Sequence, residues 1–182
     1  GVRALLFKGA ALAHRHYPAA YLRVRADTDL LVPVTDLPVL ERVLKSLGYV
    51  HPVETSGRLV SYQCHYYRID RHGIAHAFDV HRKISNLQVL ADRFGWEELW
   101  RGRVDVDALG SAAAAPDDVH ALLLALVHRA GHHPGSHNLL WIYDLHLLAS
   151  QLRPEETTQL RELATARGLG QVVAEGLALA RD

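Results

Sequence analysis

Two carboxylates stand two residues apart at the start of an apolar segment. The segment spans residues 26–32 and reads ADTDLLV. Because side chains alternate between the two faces of a strand, Asp27 and Asp29 are expected to point to the same side. Two negative charges held this close are stabilised by a cation, and oxygen ligands suit magnesium or manganese. The alternative is an exposed strand end that carries two solvated acids.

A second motif, Lys8-Gly9, separates an apolar segment from an alanine-rich one. A predicted strand ends here and a predicted helix begins, so free backbone N–H groups and the positive helix end would favour a phosphate. Gly9 allows a ligand to approach the backbone closely. A lysine at a helix N-terminus opposes the helix dipole unless an anion lies between them, and a triphosphate would be such an anion. The alternative is an ordinary tight turn with a solvated Lys8.

A third candidate, Asp79, lies inside an apolar strand-like segment, on the same face as His81. A buried acid is costly unless it is paired or binds a metal. If this strand lay beside that of Asp27 and Asp29, three carboxylates would converge and could hold divalent cations for phosphoryl transfer. The alternative is an ion pair with a nearby arginine: Arg68, Arg71 or Arg82.

The elements that must position these residues fall into two parts. In the first part, the apolar patterns predict strands at 2–7, 27–33, 49–53, 59–68 and 74–81, with helices at 9–16 and 37–47. After a small-residue linker at 112–116, helices are predicted at 117–131, 139–150, 154–167 and 169–181. The predicted fold class is α+β, with a mixed sheet and flanking helices in residues 1–110 and a helical subdomain in residues 111–182.

Composition narrows the class of protein. The 182 residues carry 20 basic and 20 acidic side chains, so long nucleic acid is not an expected partner. The single cysteine excludes an internal disulfide and fits a reducing cytosol, which predicts a cytoplasmic protein. No apolar run could cross a bilayer, so no membrane association is expected. Abundant alanine, leucine and arginine indicate a bacterial source, and the absence of methionine suggests that sequence is missing at the N-terminus.

In this order, the motifs resemble the nucleotidyltransferase superfamily that includes DNA polymerase beta, and within it a bacterial family of largely uncharacterised nucleotidyltransferases. The resemblance lies in the strand end at residues 7–10, in Arg23 four residues before the Asp-x-Asp strand, and in the Asp-x-His of residues 79–81. In the helical part, it lies in His128 and in the Trp-x-x-Asp-Leu of residues 141–145. It covers nearly the whole chain.

The resemblance implies transfer of a nucleoside monophosphate from a nucleoside triphosphate to an acceptor hydroxyl, with Mg²⁺ or Mn²⁺ as cofactor and pyrophosphate as second product. The implied catalytic and metal-binding residues are Asp27, Asp29 and Asp79. The implied nucleotide-binding residues are Lys8, Gly9 and Arg23. Three further residues are expected near the cleft: His81, His128 and Asp144. The triphosphate is open among ATP, CTP, GTP and UTP, and the acceptor among a small molecule, a protein and an RNA end.

The histidines support a different class. His128 and His132 lie four residues apart on a predicted helix, so they share a face and could bind zinc with Asp144 or His137 as third ligand. This predicts a zinc-dependent hydrolase or a zinc-stabilised helical bundle, although no glutamate lies within the pair as in the His-Glu-x-x-His signature. The structural alternative is a hydrogen bond between His128 and Asp144 across two packed helices. A further alternative is a non-catalytic binding or antitoxin-like protein with the same fold.

Overall fold

A computed structural model describes residues 1–52, 61–133 and 135–181. Its main feature is a four-stranded mixed sheet with the strand order β1-β2-β4-β3, accompanied by a two-stranded ribbon of β5 and β6. The strands are β1 (Leu5–Phe7), β2 (Thr28–Leu31), β3 (Gln63–Ile69), β4 (Ala75–His81), β5 (Val104–Asp105) and β6 (Ala114–Ala115). Only β2 and β4 of the main sheet run parallel to each other.

Helices flank the sheet and make up the second half of the chain, which confirms the predicted α+β class. They are α1 (Lys8–Arg15), α2 (Leu37–Ser46), α3 (Gln88–Ala91), α4 (Trp96–Arg101), α5 (Asp118–His132), α6 (Leu139–Gln151), α7 (Pro154–Ala166) and α8 (Gly170–Leu179). The Asp117 carboxylate accepts the His120 N–H and so caps α5. Within the described ranges, no helix combines the length and the apolar character needed to cross a membrane.

The first predicted strand, 2–7, is shorter in the structure, since β1 begins at Leu5, and two other predicted segments differ in type. The strand predicted at 49–53 contributes only a single bridge between Val50 and Tyr67, and residue 53 lies outside the described residues, as do residues 59 and 60 of the next predicted strand. The predicted linker at 112–116 instead contains β6, which pairs with β5. The small side chains of Ala114 and Ala115 are buried, so their backbone can pair closely with a neighbouring strand.

The two faces of the sheet are buried against different helices. On one face, Leu30 and Val80 pack with Leu40 and Leu44 of α2. On the other face, the side chains of β1 and β2 join one hydrophobic cluster with α5, α6, α7 and α8. Since neighbouring residues of a strand alternate between faces, Asp29 lies on the face that meets the helical half. The division into folding units at residue 110 stays a prediction.

The contact between α8 and α5 leaves no room for a side chain at Gly176. A Cβ at this position would overlap the buried side chain of Leu126. We therefore expect Gly176→Ala to lower the free energy of unfolding by about 1–3 kcal/mol, measured by urea denaturation. Gly170→Ala on the same helix is the control, because a Cβ there meets nothing within 4 Å. An equal change in the two variants would contradict the close packing of α8 on α5.

Candidate active site

A pocket of about 550 Å³ lies between the sheet and the helical half of the chain. The sheet side contributes charged and polar residues from β2, β4 and the positions next to β1 and β2: Lys8, Asp27, Asp29, Asp79 and His81. The helical side contributes residues of α5, α6 and the loop between them: His128, His132, His133, Trp141 and Asp144. The pocket therefore contains residues from each motif that the sequence singled out.

Strand pairing brings the three candidate carboxylates together. In the parallel ladder of β2 and β4, Asp29 lies directly opposite Asp79. Residues opposite each other in a sheet share a face, so both carboxylates point toward the helical half. Asp27 precedes β2 by one residue and lines the same pocket. The structure thus places Asp27, Asp29 and Asp79 on one wall.

Asp29 lies at the centre of a charged hydrogen-bond network. Its Oδ1 accepts a hydrogen bond from the Lys8 ammonium at 2.7 Å and another from His81 Nε2 at 2.8 Å. Burial raises the pKa of Asp29, but the His81 hydrogen bond and the Lys8 charge outweigh it and leave the pKa below its ordinary value. The pKa of His81 is lowered, mainly by burial. Asp29 is therefore ionised at neutral pH.

Asp79 is hydrogen-bonded to His65, a residue that the sequence analysis did not place in the site. Its Oδ1 accepts from His65 Nδ1 at 2.7 Å, and its Oδ2 accepts from the Gln63 amide at 3.4 Å. The sequence analysis gave an ion pair with an arginine as the alternative for Asp79, whereas these contacts are with a histidine and a glutamine. His65 lies directly opposite Asp79 in the ladder of β3 and β4, a register that alternation along one strand does not reveal.

The donor atoms of Asp29, Asp79 and His81 lie within 4.8 Å of one another. Two carboxylates and one imidazole fit a divalent cation such as Mg²⁺ or Mn²⁺, and the imidazole is better suited to manganese than to magnesium. Among the described residues, no other group of three or more His, Cys, Asp or Glu side chains lies close enough to share an ion. Asp27 is not in the group, although it lines the same pocket.

The hydrogen bond between His128 and Asp144, the structural alternative to zinc binding, is absent among the described residues. Asp144 instead accepts a bidentate hydrogen bond from Arg23, with Nε to Oδ1 at 2.8 Å and Nη2 to Oδ2 at 2.8 Å. Tyr17 Oη donates to the same carboxylate at 2.7 Å. Arg23 and Asp144 are both buried, so this bidentate, charge-assisted pair is a strong interaction that engages both oxygens of the Asp144 carboxylate.

The same pair disfavours the zinc interpretation. Because the Asp144 carboxylate is engaged by Arg23, it is not free to act as a third ligand beside His128 and His132. In the described part of the chain, the histidines of α5 belong to no group of three potential ligands. The rings of His128 and His132 contact each other instead, in a tilted arrangement with centroids 5.0 Å apart.

The helical wall of the pocket carries imidazole and indole rings beside the charged side chains of Arg129 and Asp144. Burial, together with the nearby Lys8 charge, lowers the pKa of His128 to about 3. Burial also lowers the pKa of His132. His133, which sequence reasoning did not place in the site, stacks on Trp141 with ring centroids 3.8 Å apart. This wall therefore offers flat rings and neutral imidazoles opposite the carboxylates.

The backbone at the Lys8-Gly9 turn differs from the sequence expectation. The unusual conformation falls on Lys8, whose φ is +54°, and Gly9 does not need one. Phe7 precedes α1 in an extended conformation and provides no side-chain cap, so the first N–H groups of the helix lack such a partner. A Cβ on Gly9 would lie 3.6 Å from the Arg23 guanidinium. Arg23 therefore lies against the start of α1.

Loss of Asp144 should be costly because it leaves Arg23 buried without its partner. We expect Asp144→Leu to lower the free energy of unfolding by about 3–5 kcal/mol in urea denaturation. The variant that also carries Arg23→Leu should lose less, since neither charge is then stranded. Lys45→Gln, which breaks an exposed pair with Glu41, is the control and should cost less than about 1 kcal/mol. Similar small losses for Asp144→Leu and Lys45→Gln would contradict the importance of the buried pair.

The stability of the metal-free protein should depend on pH through Asp27. Burial and the charges of Asp29 and Asp79 raise the pKa of Asp27. Ionised Asp27 is therefore less stable in the folded than in the unfolded protein. This penalty is complete above the folded pKa, shrinks as pH falls, and is absent below the unfolded pKa of about 4.

Asp27→Asn removes this penalty, so it should raise the midpoint of thermal unfolding at pH 7, and the gain should vanish below about pH 4. The measurement compares both proteins in a metal chelator from pH 3 to pH 8. Asp105→Asn changes an exposed acid outside the pocket and serves as control. A lower midpoint for Asp27→Asn at pH 7 would show that attraction, not repulsion, dominates at this carboxylate.

One protein family matches the chain over its whole length. A family model described as "Uncharacterised nucleotidyltransferase" covers residues 1–182. No curated protein matches the chain. The match includes both the strands that carry Asp29 and Asp79 and the helices that form the opposite wall of the pocket. The chain belongs to this family of uncharacterised nucleotidyltransferases.

Proposed function

We propose that this protein transfers a nucleoside monophosphate from a nucleoside triphosphate to an acceptor hydroxyl in the pocket between sheet and helices. The observation that carries the proposal is the convergence of Asp27, Asp29 and Asp79 on one wall, beside the Lys8 ammonium. Three carboxylates in one pocket are unfavourable in isolation, which is consistent with the raised pKa of Asp27, caused by burial and by the charges of Asp29 and Asp79. Phosphoryl transfer uses such an arrangement.

A divalent cation fits the carboxylate wall. Asp29, Asp79 and His81 supply donor atoms within 4.8 Å of one another, and Asp27 lies at the same wall. When bound, Mg²⁺ or Mn²⁺ would offset the negative charge of the phosphates. The chain itself fixes the donors, because Asp29 and Asp79 are held on adjacent strands and His81 is buried at the end of β4.

The start of α1 is the proposed position of the triphosphate. The first N–H groups of the helix lack a side-chain cap, and the Lys8 ammonium lies at the same turn. The Arg23 guanidinium lies against Gly9 and is oriented by its bidentate bond to Asp144. Lys8 and the helix amides would bind phosphate oxygens, and Arg23 would hold the turn and add positive charge nearby.

Asp79 is the proposed acceptor of the proton from the attacking hydroxyl. The hydroxyl oxygen would bond to the α-phosphorus, the bond from that phosphorus to the bridging oxygen would break, and pyrophosphate would leave. The proton would pass to Asp79, which His65 orients through its hydrogen bond of 2.7 Å. His65 is partly exposed, so it can exchange a proton with solvent afterwards.

The test is thermal unfolding with each of ATP, CTP, GTP and UTP, with and without Mg²⁺. A ligand at about one hundred times its dissociation constant adds roughly 2.7 kcal/mol to stability, which is roughly 5–10 °C for a protein of this size. We expect one triphosphate to give such a shift only with Mg²⁺. The variant with Asp27→Asn and Asp29→Asn should keep the fold and lose the shift.

The chain provides a matched control for this variant. Asp105 and Asp107 have the same two-residue spacing, but both are exposed and lie outside the pocket. Changing both to asparagine should leave the nucleotide shift intact. If the pocket double variant retained the full Mg²⁺-dependent shift, the assignment of Asp27 and Asp29 would be wrong. If no triphosphate shifted the wild-type protein, the proposed reaction would be wrong.

A further inference from the structure

The Lys8 ammonium lies beside two of the three potential metal donors. Its Nζ is 2.7 Å from Asp29 Oδ1 and 3.4 Å from His81 Nε2, and these two donors are themselves 2.8 Å apart. The donor set that fits a divalent cation is therefore already in contact with a positive charge that belongs to the chain.

Lys8 and a divalent cation would compete for the charge of the same carboxylate. The Lys8 side chain is mostly buried and so is that of Asp29, so the repulsion between the ammonium and a second cation is only weakly screened by water. An ion bound to Asp29 Oδ1 would have to break the 2.7 Å bond from Lys8, and an ion bound to the other oxygen of this carboxylate would still lie close to the ammonium. Free metal is therefore at a disadvantage in this pocket.

A triphosphate would supply the displaced ammonium with a new partner. Lys8 is the first residue of α1, so its side chain starts at the same turn as the uncapped N–H groups of the helix. Phosphate oxygens bound at that turn would lie next to the base of the Lys8 side chain. A rotation of the side chain could then exchange the Asp29 carboxylate for phosphate without leaving the ammonium unpaired.

The backbone at Lys8 fixes where this side chain emerges. Its φ of +54° is the left-handed conformation, and no other non-glycine residue of the described chain has a positive φ. This conformation is costly for a residue with a Cβ. Strand β1 ends at Phe7, which pairs with Asp29, so the turn directs the next residue onto that carboxylate.

We propose that Lys8 is a resident counter-cation that excludes free divalent metal from Asp29 and yields to a metal–triphosphate complex. The substrate that enters the site is then the complex, and metal and triphosphate bind with positive coupling. Lys8 thereby acts as a specificity-determining residue. This inference rests on the proposed nucleotidyl transfer, but the role of Lys8 can be wrong even if the transfer reaction is right.

The experiment measures Mn²⁺ binding by electron paramagnetic resonance and calorimetry in the absence of nucleotide. We expect Lys8→Gln to bind Mn²⁺ about tenfold more tightly than the wild-type protein, because the competing charge is gone. Lys8→Arg keeps the charge and should bind like the wild type. Arg25→Gln also removes a positive charge from the pocket lining, but the polar contacts of Asp29 are with Lys8 and His81, so its effect should be small.

A second measurement adds a triphosphate whose α,β bond cannot be cleaved. The wild-type protein should then gain Mn²⁺ affinity beyond that of the analogue for Mn²⁺ in solution, and the advantage of Lys8→Gln should shrink. If Lys8→Gln does not fold, Lys8→Met retains the aliphatic stem and takes its place. The coupling in the wild-type protein tests the proposal even without a variant.

The outcomes separate the two proposals. Equal Mn²⁺ affinities of the wild type and Lys8→Gln without nucleotide would overturn the role of Lys8, while a Mg²⁺-dependent triphosphate shift would still support the transfer reaction. Additive binding of Mn²⁺ and the analogue in the wild type would also overturn it. If neither protein bound Mn²⁺ or triphosphate under any condition, both proposals would be wrong.

Discussion

The organisation of this pocket depends on one electrostatic constraint, which is that parallel pairing of β2 and β4 places Asp29 and Asp79 side by side on one face. Like charges at adjacent positions repel, and burial strengthens that repulsion. The fold balances it with different partners, since Asp29 is held by Lys8 and His81 and Asp79 is held by His65. The side chains that contact the two carboxylates, Lys8, His81 and His65, are the ones that offset this repulsion.

A second buried charge pair joins the two halves of the chain. Arg23 comes from the loop before β2, and Asp144 comes from α6, so their bidentate bond connects the start of α1 to the helical wall. A buried ion pair is a weak source of stability relative to apolar packing, but removing one partner is costly. The pair therefore helps to fix the position of α6 relative to the Lys8-Gly9 turn, in addition to the continuous hydrophobic cluster.

Local patterns in the sequence were sufficient for much of the fold and for the choice of candidate residues. Strand alternation put Asp27 with Asp29 and Asp79 with His81, and the apolar periodicity located α1, α2 and α5 to α8 to within about two residues. The pattern was wrong where burial involved small residues, because Ala114 and Ala115 looked like a linker and form β6. Their short side chains give little hydrophobic signal even though they are buried.

The sequence by itself therefore determined the class of fold, the family resemblance and the carboxylates, since each depends on residues close together in the chain. Only the tertiary structure decided the partners: Lys8 for Asp29, His65 for Asp79, and Arg23 in place of His128 for Asp144. These pairings depend on strand register and helix packing, which bring together residues separated by 14 to 121 positions. The periodicity of the sequence does not show which of several donors bonds to a given carboxylate. That choice depends on distance and burial in the folded chain.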